Sequence, residues 1–148
     1  MIPRSLPRIS SLSGGALVGG ADGPADPRAV TRVVTDSRKA GPGALFVAIA
    51  GERTDGHAHV GQVASAGGAA ALVSDPDTAR SSLAAAGRDP DAFPLLVVPD
   101  TVEALGELAR GHLAELRGRA AARGDALAVV AMTGSVGKTT TKDLTRQL

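Results

Sequence analysis

Seven residues near the carboxyl end have the types and spacing that chemistry most plainly needs: Gly134, Ser135, Val136, Gly137, Lys138, Thr139 and Thr140. Gly134 and Gly137 allow positive φ and bring backbone N–H groups close to anionic oxygens. Lys138 supplies a cation for terminal phosphates, and Thr139 offers a hydroxyl to Mg²⁺. This order of residues describes a cradle for a triphosphate. The strict phosphate-loop pattern is not met, because Met132 stands five positions before Gly137 where a glycine is usual. The competing reading is a plain glycine turn with a solvated lysine. The apolar run Leu127–Met132 ahead of the loop, expected as a strand, and the hydroxyl run Thr139–Thr141 after it favour phosphate binding.

Two smaller polar groups lie upstream. Asp36, Ser37 and Arg38 form a corner that follows an apolar segment. Such a corner presents hydroxyl and backbone donors to a ligand, or an Asp36–Arg38 ion pair that stabilises the turn; the residue types suit both. In Asp55-Gly56-His57, His57 either faces a ligand or follows Asp55 acting as a helix N-cap. His57 is given no catalytic role. His59 and His112 are isolated, and three scattered histidines make no metal site.

Composition narrows the function classes. The chain has 148 residues, no cysteine, no tryptophan or tyrosine, two phenylalanines and a formal charge of +1. Disulfides, thiolate zinc sites and cysteine nucleophiles are therefore excluded. Without a basic field or aromatic platforms, nucleic-acid binding has no support. The amino end lacks an unbroken apolar segment of signal or membrane length, so no membrane insertion and a cytoplasmic, monomeric protein are expected.

The elements that must position these groups alternate between strand and helix, which predicts an α/β fold. A helical turn is expected near Leu6–Leu12, followed by Ala16–Val18 as one strand of a hairpin. Strands are expected over 30–35, 44–50, 69–74 and 95–98, with 44–50 buried on both faces. Helices are expected over 57–66 and 81–86. A longer helix begins at Asp100, capped by Asp100 with Glu103, and shows an apolar stripe of Val102, Leu105, Ala109, Leu113 and Leu116. The domain boundary is placed near residues 98–100.

The residues resemble the Mur ligase family. Thr133–Thr140 is similar to the family's nucleotide loop, which needs no glycine where Met132 stands. Independently, Thr35–Arg38, Pro42–Ala48, Gly51-Glu52, Asp55–His57 and Ala69–Val73 resemble the family's amino-terminal domain. The resemblance implies a small mixed α/β domain over 1–99 that binds a UDP substrate. Residues 100–148 would then be the truncated start of a P-loop-type ATP-binding α/β domain. It further implies ATP and Mg²⁺ as cofactors, with Lys138 as the catalytic residue and Thr139 as the metal contact. Asp36, Ser37 and Arg38 become the uridine or diphosphate contacts. The reaction implied joins D-Ala-D-Ala to UDP-N-acetylmuramoyl-tripeptide through an acyl phosphate. Alternatives are the ligase adding the third stem-peptide residue, a uridine-nucleotide-binding module without catalysis, and an unrelated P-loop kinase or ATPase. A fragment of such a ligase is expected to be inactive alone.

Overall fold

The computed structural model describes residues 2–20, 29–52 and 54–129. Its first compact unit runs to His112. A five-stranded sheet sits at the centre of this unit in the order β2-β7-β6-β5-β4, with β2 Ala16–Val18, β4 Arg32–Val34, β5 Ala44–Val47, β6 Ala70–Val73 and β7 Leu95–Val97. Strands β4 to β7 are parallel, and β2 joins the β7 edge antiparallel. A two-residue ladder pairs β1 (Arg4–Ser5) with β3 (Ala29–Val30). The fold is mixed α/β with a parallel-rich sheet, as the alternating pattern predicts.

Strand periodicity sorts the core into two layers, because successive side chains point to opposite faces. Leu45, Val47, Ala70, Leu72 and Leu96 pack with Leu6 and Ile9 of α1 (Leu6–Ser13) and with Ala104 and Leu108 of α4 (Thr101–Ala121). Phe46, Ala48, Ala71, Val73 and Leu95 pack with Val60 and Val63 of α2 (Val60–Ser65) and with Ala79 and Leu83 of α3 (Pro76–Ala85). Strands β5 and β6 are buried along their whole length, which explains their lack of polar alternation.

Four sequence expectations need correction. Ala16–Val18 does not form a local hairpin; Gly14, at φ 69°, ends α1 and the chain turns to pair with β7 instead. The single strand expected over 30–35 is broken: Thr31 and Arg32 both donate to the Gly43 carbonyl, at 2.8 and 3.2 Å, so the strand kinks between β3 and β4. Helix α3 starts at Pro76 rather than Ser81. Asp75 caps it by accepting from Asp77 N and Thr78 N, each at 3.1 Å, and Pro76 at the first turn lacks the N–H that would be orphaned there.

The fourth correction concerns α4. Asp100 caps it as expected, accepting from Val102 N and Glu103 N at 2.7 and 2.8 Å. Its buried face is Thr101, Ala104 and Leu108, whereas Val102 is 57% exposed. The buried set has the same helical spacing as the expected stripe but carries a threonine and an alanine, so it reads as less apolar than it is.

The second unit begins at Leu113. Its described part is the last turns of α4 and the chain to Val129. Helix α4 ends with Gly124 at φ 78° and with Asp125 N donating to Ala120 O at 2.9 Å. Leu127–Val129, expected to open a strand, has no strand partner among the described residues, and Leu127 and Val129 are exposed. The remainder of that strand and the whole phosphate loop lie outside the described residues.

Candidate functional site

An open cleft of about 770 Å³ lies beyond the carboxyl ends of β4 and β5. This is where parallel sheets place ligands, because the loops leaving adjacent strands diverge there. One wall is the turn that follows β4. Asp36 accepts from Arg38 N at 3.1 Å and so starts the short 3-10 turn Ser37–Lys39. The Arg38 guanidinium then closes a bidentate pair with the same carboxylate, Nε to Oδ1 and Nη2 to Oδ2, both at 2.9 Å. These donors favour the ionised form and hold the Asp36 carboxyl down at about 2. The same pair raises the Arg38 pKa. The ion-pair reading of this corner is met, and the same three residues line the cleft.

The other wall comes from the segment after β5. Ile49, Thr54 and Gly56 line it, with Phe46 beneath and Gln62 and His59 at the side. Gly56 is required by close approach, since a Cβ there would lie 2.7 Å from Ile49 N and 2.9 Å from Ile49 O. That absence of a side chain lets the loop fold back on the end of β5. Gln62 was not singled out by sequence, yet it accepts the Ser37 Oγ hydrogen bond at 3.2 Å across 25 positions. No local signal marks Gln62, because its relation to Ser37 arises only when α2 packs beside β4 and β5.

Asp55 caps the 3-10 turn Gly56–His59 through His57 N at 3.0 Å. The His57 ring is only 2% exposed; its Nδ1 lies 2.6 Å from Asp55 Oδ1, and Ser74 N donates to its Nε2 at 3.0 Å. Ser74 Oγ is also near, at 3.2 Å from Nε2. The order Asp–His–Ser suggests an activated hydroxyl. The Ser74 amide already occupies the Nε2 lone pair, so the ring is not free to take the Ser74 proton. His57 ties the loop after β5 to the end of β6, and the capping reading of Asp55 holds. The Asp55 pKa is lowered chiefly by the backbone His57 hydrogen bond.

Among the described residues no cluster of three or more His, Asp or Glu could hold a metal ion. Nor is any described helix long and apolar enough to cross a membrane. Gly134–Thr140, with Lys138 and Thr139, lie outside the described residues, so Asp36, Ser37 and Arg38 are the expected site residues that the structure brings together.

A family model described as "Mur ligase family, catalytic domain" matches residues 29–113. The chain belongs to the Mur ligase family. UDP-N-acetylmuramoyl-tripeptide–D-alanyl-D-alanine ligase of Escherichia coli (strain K12) is 41% identical over 145 residues, covering 98% of this chain and 26% of that protein. A crystal structure of MurF from Acinetobacter baumannii superposes with a TM-score of 0.65 at 34% identity, over 96% of this chain and 26% of that one. MurF ligase from Thermotoga maritima, solved in complex with ADP, has a TM-score of 0.53 at 28% identity, over 78% of this chain and 22% of that one. The chain thus spans about a quarter of the length of these Mur ligases, and its fold is theirs over that span.

Proposed function

We propose that the protein serves the ATP-dependent ligation of D-alanyl-D-alanine to UDP-N-acetylmuramoyl-tripeptide, and that the cleft beyond β4 and β5 receives the uridine diphosphate end. One observation carries this reading: Asp36, Ser37 and Arg38 form the wall of a 770 Å³ cleft inside the segment that matches the family model. The similarity to ligases named for this reaction, and to one solved with ADP, supports the substrate and nucleotide.

In this reading residues 1–99 carry the UDP-substrate domain and 100–148 begin the ATP-binding domain. The first turns of α4 pack on the former, through Ala104 and Leu108. Arg38 gives the cleft a cation for the diphosphate, and Ser37, whose hydroxyl donates to Gln62, orients that side chain. Ile49, half-buried at the cleft wall, offers apolar surface to a ring. Gly134, Ser135, Val136 and Gly137 have the glycine-spaced residue types of a triphosphate cradle; Lys138 and Thr139 complete a donor set that fits Mg-ATP. Bound there, Mg-ATP supplies the phosphoryl group that activates the tripeptide carboxylate for attack by the amine. Lys138 would neutralise the charge that develops on the leaving oxygens.

The test is calorimetric titration of the purified protein with UDP-N-acetylmuramoyl-tripeptide and, separately, with the muramoyl-tripeptide lacking UDP. Saturable binding of the first and weak binding of the second is expected. Equal affinity for both would remove the uridine diphosphate from the cleft.

A further inference from the structure

We infer that Gln62 is a specificity-determining residue of the cleft, its side-chain amide donating to a ring carbonyl of the bound nucleotide base. The inference rests on the uridine-diphosphate reading above and assigns the part of the ligand that α2 meets. Val60 and Val63 anchor α2 beneath the sheet, and Gln62 between them is exposed and lines the cleft. Its Oε1 is taken by the Ser37 hydroxyl at 3.2 Å. That bond orients the amide and leaves the two Nε2 hydrogens without a protein partner among the described residues.

The cleft separates two kinds of donor. Arg38 is charged and 82% exposed, so it suits the diphosphate. Gln62 is neutral and lies in the same cleft as the half-buried Ile49, which suits an uncharged carbonyl on a flat ring. Uracil carries a carbonyl at C4, where cytosine has an amino group. An amide N–H pair at that position accepts the first base and opposes two donors in the second, and leaving such groups unpaired is what gives hydrogen-bonding sites their discrimination.

The test compares UDP with CDP, which share the same diphosphate, by calorimetry on the purified protein. The wild type should prefer UDP by about tenfold or more. Gln62→Leu should bring the two affinities to within about twofold of each other. Gln62→Glu keeps an acceptor for Ser37 but replaces the amide donors with carboxylate oxygens, so it should reverse the preference toward CDP. Arg38→Ala should weaken both nucleotides alike and leave their ratio unchanged. Thermal melting by circular dichroism checks that the Gln62 variants fold; the position is exposed, so both should melt with the wild type. A folded Gln62→Leu or Gln62→Glu protein that keeps the full wild-type preference overturns the role of Gln62 alone. A wild type that binds no uridine nucleotide overturns the underlying reading instead.

Discussion

Asp36 illustrates how one side chain can belong to both a turn and a site. Its carboxylate is occupied by Arg38, through the backbone N–H and the guanidinium fork. Because its folded pKa lies below the ordinary 3.8, at about 2, its stabilising contribution is complete above 3.8 and is lost as pH falls toward 2. Carbon-detected NMR titration should therefore find Asp36 ionised at pH 3, and Arg38→Ala should move its midpoint up toward 3.8. A midpoint unmoved by that substitution would mean the pair is not formed in solution. His57 poses the opposite case, a ring buried for structure. His57→Ala removes partners of both Asp55 and Ser74 and leaves a void, so urea unfolding should show a loss of about 2–4 kcal/mol.

Helix α2 is short, and its packing depends on Gly61. A Cβ there would collide with the Ser82 carbonyl and approach Ala86 Cβ at 2.8 Å. The close approach also lets Gly61 N donate to Ser82 Oγ at 2.9 Å, while that hydroxyl donates to Ala58 O at 2.7 Å. Gly61→Ala should cost about 1–3 kcal/mol by forcing α2 and α3 apart. Since α2 also carries Gln62, nucleotide affinity should fall with it. Helix α4 gives a paired test of its buried face. Leu108→Ala should lose about 2–4 kcal/mol, whereas Val102→Ser should stay within about 0.5 kcal/mol of wild type. Comparable losses at both positions would restore the stripe expected from sequence.

Across the whole molecule, the proposed function puts substrate binding and phosphoryl transfer on residues far apart in the chain. In an enzyme competent for ligation, Lys138→Ala should abolish turnover while leaving affinity for the UDP substrate nearly intact, because the role proposed for the lysine is at the triphosphate. Arg38→Ala should instead raise KM for the UDP substrate by about tenfold, with kcat changed much less. Steady-state kinetics with each variant separates the two. If Lys138→Ala lost both binding and turnover, Lys138 would be a folding residue rather than a catalytic one.

Much of this was legible in the residues alone. The buried runs 44–47 and 70–73, the caps at Asp55 and Asp100, and the Asp36–Arg38 corner all follow from local rules of period, capping and side-chain reach. The phosphate loop rests on neighbouring residue types alone, since it lies outside the described residues. Other features required the tertiary structure. Ala16–Val18 could pair with any exposed strand edge, and only assembly of the parallel sheet leaves β7 free to take it. The face α4 buries depends on rotation about its axis, which differs little between two adjacent stripes until Leu6 and Ile9 fill one side. Gln62 meets Ser37 because α2 crosses beside β4 and β5, bringing together groups that no spacing rule connects. Local preferences are written residue by residue; a cleft is made by whichever distant surfaces the core forces to converge.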